Sequence, residues 1–463
     1  MYTALVSRLL FPLHERLKSH TSVAVRRSME ESQWWPPEKL HALQLERLRA
    51  LLCDVGAGVP YYRELFARLG FDPRALRQLA DLRALPLLDK ATIRAHTEAL
   101  KHTQARGLAR FNTGGSSGEP LIFFIGNERV SHDVAAKWRA TRWWGVDIGD
   151  PEIVVWGSPI ELAAQDRVRR LRDALLRSEL LPAFAMNEAR LDGMLAAIRR
   201  RRPRMLFGYP SALAHIAQHA EQRGAVMSDL GIRVAFVTSE RLYDEQRAGI
   251  ERVFGCRVAN GYGGRDAGFI AHECPAGGMH ITAEDIIVEL VDGQGRPVPD
   301  GEAGEIVVTH LATRDFPFIR YRTGDVAVLA AKPCACGRGL PLLREIQGRS
   351  TDFVVAADGT VMHGLALIYI LRDVPGLQSF KVVQHELLRT SVQLVAGPGF
   401  RPGCEAGIVA GFKQRLGAQV AVDVQRVDAI AAEKSGKFRY IVSHVAAAQT
   451  AAQTAAPAEV ADA

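Results

Sequence analysis

Apolar and polar positions recur along this chain with two different periods, and the change from one to the other lays out its elements. Between 38 and 70, Leu45, Leu48, Leu51 and Leu52 return at helical spacing, which predicts helices there. Short apolar runs at 152–156, 204–207, 232–237, 285–291 and 305–310 predict strands. Helical patterns separate several of these runs, as crossover units in a largely parallel sheet require. From 281 to 345 the runs crowd together. Asp292-Gly293-Gln294-Gly295 and Pro299-Asp300-Gly301 split them, so this region reads as antiparallel hairpins. From about Ala446 the sequence turns to Ala, Gln and Thr with scattered acids, the composition of a disordered tail. No internal repeat is evident.

At its start, Leu5, Leu9 and Leu10 fall near one face of a short amphipathic helix with basic residues nearby. Packing onto the main domain is the first expectation for this helix, and rest on a membrane surface is the alternative. Met1 to Pro12 has neither a long apolar core nor a small-residue cleavage site, so it does not read as a signal peptide. No run is apolar and long enough to span a bilayer. The expected compartment is therefore the cytoplasm, with its six cysteines reduced, free or metal-bound.

The 463 residues suffice for a large core and more than one domain, with a formal charge of +7. That charge owes much to arginines clustered at 167–177 and 199–204. They are interleaved with apolar residues, as a solvated helix face would be, and no aromatic stacking motif accompanies them. Nucleic acid is thus not an expected partner.

Five short motifs carry the chemistry. Asn112-Thr113-Gly114-Gly115-Ser116-Ser117-Gly118-Glu119-Pro120 precedes the strand-like Leu121 to Ile125. Its glycines allow close backbone approach, and its N–H groups and hydroxyls suit a polyphosphate, although a surface linker has the same composition. It is not a Walker loop, because no Gly-Lys-[Ser/Thr] closes it. Asn260-Gly261-Tyr262-Gly263-Gly264-Arg265-Asp266 follows a short strand expected at 253–258. It reads as a turn bearing a ring for stacking on a base and an acid for Mg²⁺. Arg320-Tyr321-Arg322-Thr323-Gly324-Asp325 offers a carboxylate after a turn glycine, suited to two ribose hydroxyls. Gly348-Arg349-Ser350-Thr351-Asp352 opens a change of composition. Lys434-Ser435-Gly436-Lys437 presents a cation on an exposed turn.

In this order the motifs resemble the adenylate-forming (acyl-/aryl-CoA ligase) superfamily, most closely the phenylacetate–CoA ligase group and its CapK-type capsular polysaccharide biosynthesis branch. Pro60-Tyr61-Tyr62-Arg63, Leu87-Leu88-Asp89-Lys90, Phe207-Gly208-Tyr209-Pro210-Ser211 and Cys334-Ala335-Cys336-Gly337-Arg338 support the likeness, which covers roughly residues 40 to 445. The resemblance implies an α/β fold. A large N-terminal domain of α/β subdomains plus a small β-barrel would span 1–347, a small mobile C-terminal α/β domain 348–445, and a tail 446–463. It implies that ATP and a carboxylate give an acyl-adenylate and pyrophosphate, after which a thiol, usually coenzyme A, displaces AMP. Thr113, Gly114, Gly115, Ser116, Ser117 and Gly118 would hold phosphates, and Asp266 would bind Mg²⁺. Ser239 and Glu240 would line the adenine pocket with Tyr262, Asp325 and Arg349 would bind ribose, and Lys437 would bridge carboxylate and α-phosphate.

The sequence departs from the family pattern in several places. Glu119 stands where many relatives have Lys, and Arg265 where Thr is usual. Asp266 is one methylene shorter than the usual Glu, and Ala357 to His363 replaces a Gly-rich stretch that helps shape the thiol-step tunnel. Adenylation is therefore a firmer implication than transfer to coenzyme A. A carrier-protein thiol or a sugar acceptor in a cell-envelope pathway stays open, as does a non-catalytic scaffold role. Trp156, Tyr209 and Gly261 are candidates for the pocket of a small carboxylic acid.

Cys274-x₅-His280 and Cys334-x-Cys336 form a possible Cys₃His site for structural Zn²⁺, with His272 as an alternative fourth ligand and reduced buried thiols as the other reading. Cys53, Cys256 and Cys404 are isolated and read as packing residues.

Overall fold

The computed structural model describes residues 1–112, 121–156, 167–183, 186, 188–349, 353–359, 361–363, 365–372, 374–401, 403–430 and 439–445. Two compact units divide them. The first takes in residues 1–323 and 327–346, the second 324–326 and 347–433 with the described residues that follow.

An antiparallel hairpin, β1 (Ala109–Asn112) and β2 (Ile122–Ile125), flanks the Thr113–Gly118 segment, which itself lies outside the described residues. Eleven further strands make one sheet: β3 (Glu152–Trp156), β4 (Ser178–Pro182), β5 (Met205–Gly208), β6 (Val234–Thr238), β7 (Arg257–Gly264), β8 (Gly268–Glu273), β9 (Met279–Ile281), β10 (Ile286–Val291), β11 (Ala303–His310), β12 (Tyr321–Leu329) and β13 (Leu342–Arg349). Their spatial order is β10-β11-β12-β13-β9-β8-β7-β6-β5-β3-β4. β4, β3, β5, β6 and β7 run parallel, with helices Glu188–Arg201, Pro210–Gln222 and Asp244–Phe254 between successive strands from β4 to β7. Burial on both faces explains their near-continuous apolar character: every residue of β5 and β6 is buried. The later strands pair antiparallel, as the crowded turn signals anticipate.

Two local expectations change. Val253 belongs to a helix and not to a strand. Ile250, Val253 and Phe254 form the buried stripe of Asp244–Phe254, and the extended period begins only at Arg257. The Arg320–Asp325 motif is likewise no turn. β12 runs through it, with Leu88 paired to Tyr321 along one side. Gly324 adopts φ +78°, which bends the strand without ending it.

Helix Asn127–Trp143 carries an unusual set of buried polar residues. Arg139 donates to Glu284 Oε1 at 2.6 Å, and Ser32 Oγ donates to the same oxygen at 2.7 Å. His132 Nδ1 lies 2.7 Å from Asp285 Oδ1, which Arg47 also approaches at 3.2 Å. Arg129 pairs with Asp133 at 2.9 Å one turn on. Buried charges persist only when paired in this way. At the start of the chain, Val6 and Phe11 are buried, with Phe11 edge-on to Trp138 at 5.2 Å, so the N-terminal helical run packs on this helix.

The second unit pairs β14 (Phe353–Val355) with β15 (Val361–His363). Beside that pair is a four-stranded sheet, β18 (Ala421–Arg426), β17 (Arg389–Ala396), β16 (Leu377–Glu386) and β19 (Ile441–Ser443), in that order. Phe380, Val382, Val392 and Leu394 alternate onto one buried face of this sheet, and Ile408, Phe412 and Leu416 form the buried stripe of helix Cys404–Leu416. Buried Gln384 donates to Val355 O at 2.7 Å and accepts from Val355 N at 3.0 Å, which joins the two sheets.

The His132–Asp285 pair makes stability depend on pH. Burial opposes a charge on His132, but the charge and hydrogen bond of Asp285 outweigh it, so its pKa lies above the ordinary 6.5. Burial likewise opposes the Asp285 carboxylate, yet His132, His310 and Arg47 hold it down to about 2. The histidine contribution is full below the unfolded value and is lost as pH rises through the raised folded value. The Asp285 contribution is present above the unfolded value and is lost as pH falls toward about 2. Thermal unfolding of His132→Gln should therefore show a deficit of about 1–3 kcal/mol near pH 5.5 that narrows by about pH 9. A deficit independent of pH would contradict this account.

Candidate active site and metal cluster

In an open α/β sheet, ligands bind beyond the carboxyl ends of the parallel strands, where neighbouring connections leave in opposite directions. That point lies between β3, which leads to β4 on one side, and β5, which leads to β6 on the other. Trp156 ends β3 and Tyr209 follows β5, and their rings stack with centroids 4.3 Å apart. The two aromatic pocket candidates thus meet, and Phe207 continues the stack 5.8 Å from Trp156.

β6 ends at Thr238, paired with Gly261 of β7, so Ser239 emerges beside Tyr262. Ser239 has φ +72°, a strained conformation for a residue with a side chain. Glu240 accepts from the N–H of Ser211 at 3.2 Å, in the first turn of helix Pro210–Gln222. Its carboxylate therefore ties the end of β6 to a helix N-terminus, where negative charge is favoured.

The glycine-rich motif is strand rather than turn: Asn260 to Gly264 lie in β7, and only 265–267 turn back into β8. Asp266 sits on that turn. Its Oδ2 accepts from the Tyr321 hydroxyl at 2.6 Å and its Oδ1 from the N–H of Ala267 at 3.0 Å. Arg129 donates to the carbonyls of Arg265 and Asp266 at 3.4 Å. A Cβ on Gly263 would lie 2.1 Å from Gly268 O, and one on Gly264 would lie 2.6 Å from Asp266 Oδ1. The glycines are the space into which the turn and its carboxylate fold.

Sequence reasoning noticed the motif around Tyr321 for Asp325 alone and missed that its tyrosine holds Asp266. Arg129 gave no signal at all, because a lone arginine in a helical pattern reads as surface. Asp325 lies within β12 and Arg349 ends β13. Lys434 and Lys437, like Thr113 to Gly118, lie outside the described residues.

Cys274, His280, Cys334 and Cys336 come together, with their ligand atoms all within 4.8 Å of one another. Cys274 Sγ is 3.6 Å from Cys334 Sγ, and Cys336 Sγ is 3.2 Å from His280 Nε2. Burial pulls His280 down to about 4, leaving a neutral imidazole at physiological pH. Burial also pushes the Cys274 thiol up to about 11. It opposes charge on Cys336 too, but the N–H and guanidinium of Arg338, with the neighbouring thiols, outweigh it and draw that thiol down. His272, the alternative ligand, is packed against Phe236 and Phe269 and is not part of the cluster. Arg338 lies 4.5 Å from the Trp143 ring centroid and 4.8 Å from that of Trp34. The Gly339 N–H donates to Gln33 O at 2.9 Å. The Cys-x-Cys loop is therefore fastened to the N-terminal helices and to helix Asn127–Trp143.

Comparison with known proteins finds likenesses along most of the chain. The AMP-binding enzyme family model matches residues 178–312, and the CapK C-terminal domain model matches residues 354–444. Phenylacetate–coenzyme A ligase of Thermus thermophilus is 29% identical over 334 residues, covering 70% of this chain and 74% of its own. Protein CapK of Staphylococcus aureus is 22% identical over 410 residues, covering 88% and 90%. A crystal structure of 2-hydroxyisobutyryl-CoA ligase in the postadenylation state superposes with a TM-score of 0.72 at 20% identity, covering 92% of this chain and 94% of that one, which shows the shared fold. The chain carries an AMP-binding enzyme domain and a CapK-type C-terminal domain and is similar to the phenylacetate–coenzyme A ligases, and these likenesses support an AMP-forming acid–thiol ligase of the adenylate-forming group.

Proposed function

We propose that the protein joins a small carboxylic acid to AMP at the carboxyl edge of β3 and β5–β7 and passes the acyl group to the thiol of coenzyme A. A carboxylate oxygen attacks the α-phosphorus of ATP, and the bond to pyrophosphate breaks. The thiol sulfur then attacks the acyl carbonyl, and AMP departs. The observation that carries the reading is the placement of Trp156, Tyr209, Ser239, Tyr262 and Asp266 along one sheet edge, with Asp266 locked by Tyr321.

Bringing two anions together makes charge repulsion and positioning the main barrier. Asp266 fits Mg²⁺, because a carboxylate accepting one hydrogen bond at each oxygen keeps lone pairs free. Bound there, Mg²⁺ would neutralise phosphate charge. By resemblance, Thr113 to Gly118 would hold phosphates, Asp325 and Arg349 the ribose, and Lys437 the α-phosphate beside the acid. Residues 1–347 would form the adenylating domain and 348–445 a lid. The rings of Trp156 and Tyr209 suit an apolar acid.

The CapK-type match over 354–444 favours a second acceptor, a carrier-protein thiol or a sugar in envelope polysaccharide assembly. The Cys274–His280–Cys334–Cys336 group suits structural Zn²⁺. Three thiols and a neutral imidazole are a tetrahedral zinc donor set, and four protein ligands leave no position for chemistry.

The test is acid-dependent ATP–pyrophosphate exchange over a panel of aryl, hydroxy and fatty acids, followed by product analysis with each acceptor. Lys437→Ala should lower exchange by about 10²–10³ with little change in ATP binding; full activity in that variant would reassign the cation. Tyr321→Phe should keep the fold and weaken Mg²⁺ dependence by roughly 10–100-fold, read by titrating Mg²⁺ in the exchange assay, and an unchanged titration would remove Tyr321 from the site. Purified protein should carry one zinc per chain. Cys336→Ser should lose it and lower the unfolding temperature while leaving the exchange rate at low temperature near wild type. Protein isolated without metal would refute the zinc assignment.

A further inference from the structure

The first 17 residues form a continuous helical run, Tyr2–Leu5, Val6–Leu10 and Phe11–Leu17, with apolar residues on two faces. The inner face is accounted for. Val6 and Phe11 are buried, Thr3 donates to Asp150 at 2.9 Å, and Glu15 turns inward to accept from Ser22 at 2.6 Å. The outer face is not. Leu5, Leu9, Leu13 and Leu17 follow one another at intervals of four and are 45%, 57%, 53% and 79% exposed. Among the described residues, six of the thirteen large exposed apolar side chains lie in these 17 positions. Leu171 and Leu175, also exposed, extend the patch from helix Arg167–Leu175, whose last carbonyl accepts from the Tyr2 hydroxyl at 2.8 Å.

Along the N-terminal run the exposed charge has one sign. Arg8, Arg16 and Lys18 are exposed, and the single acid of the first 18 residues, Glu15, is buried against Ser22 and His20. Arg177 covers the Tyr2 ring at 5.5 Å from its centroid. A second copy of this chain is disfavoured as occupant, because a two-fold contact would set these cations against themselves while Asp173, the acid of the neighbouring helix, is already paired with Arg172. An apolar ridge of about 18 Å from Leu5 to Leu17, flanked by cations and edged by a tyrosine, matches a bilayer interface with anionic headgroups.

We propose that this outer face docks the protein on an anionic phospholipid surface, with Leu9, Leu13 and Leu17 entering the acyl boundary and Arg8, Arg16 and Lys18 meeting phosphates. The inner face is fixed by Phe11 on Trp138, so docking needs no unfolding of the run. The enzyme would then work at a membrane without spanning it, consistent with the lack of any membrane-spanning helix among the described residues.

Sedimentation of the full-length protein with phosphatidylcholine vesicles containing about one third phosphatidylglycerol tests this. The expected result is pelleting with these vesicles and at least about tenfold less with phosphatidylcholine alone. Leu9→Glu/Leu13→Glu and Arg8→Glu/Arg16→Glu should each abolish pelleting while the exchange rate and unfolding temperature hold. Failure to pellet with the anionic vesicles overturns the proposal, as does pelleting that neither variant alters. A dimer seen by light scattering and broken by Leu9→Glu/Leu13→Glu, without vesicle binding, would overturn it in favour of an interface between copies. Capture of an acidic protein in place of vesicles would overturn it equally.

Discussion

Helix Asn127–Trp143 buries charge where a helix packed on a sheet would ordinarily bury leucine, and the architecture around the site follows from that constraint. Arg139 must meet Glu284, and His132 must meet Asp285, because either member left alone in the interior would carry an uncompensated desolvation cost. These pairs fix the helix against the buried link between β9 and β10. From the same helix Arg129 reaches the carbonyls of Arg265 and Asp266. The ionic seam and the proposed Mg²⁺ carboxylate are thus parts of one rigid assembly.

That rigidity suits adenylation. Most of the barrier lies in bringing like charges together, so in the proposed role a carboxylate held from both oxygens before substrate arrives would save reorganisation at the moment of reaction. The strained Ser239 and the close-packed Gly263 and Gly264 belong to the same edge. Local backbone compromise there is tolerated because the flanking strands β5 and β6 are buried along their whole length.

Stability and chemistry are divided among different residues. The Cys₃His cluster sits on the 334–339 loop, which Arg338 and Gly339 fasten to Gln33, Trp34 and Trp143, away from the Trp156–Tyr209 stack and Asp266. The N-terminal run follows the same division. Its inner residues are spent on packing, and its outer leucines are left for another surface.

The sequence by itself determined the parallel strands, the later hairpins, the motif order and the family resemblance, because apolar period and glycine-rich spacing are local properties. It also named all four members of the cysteine–histidine cluster, since Cys-x-Cys and Cys-x₅-His are local spacings. It misplaced what depends on context. Val253 looked like strand until the helical stripe with Ile250 and Phe254 claimed it, and Gly261 and Gly324 looked like turns until neighbouring strands paired across them. Only the tertiary structure decided which histidine joins the cysteines, which tyrosine holds Asp266, and which leucines of the first helix remain outside. Each of these is set by residues brought together from far apart in the chain, and no local period records such a meeting.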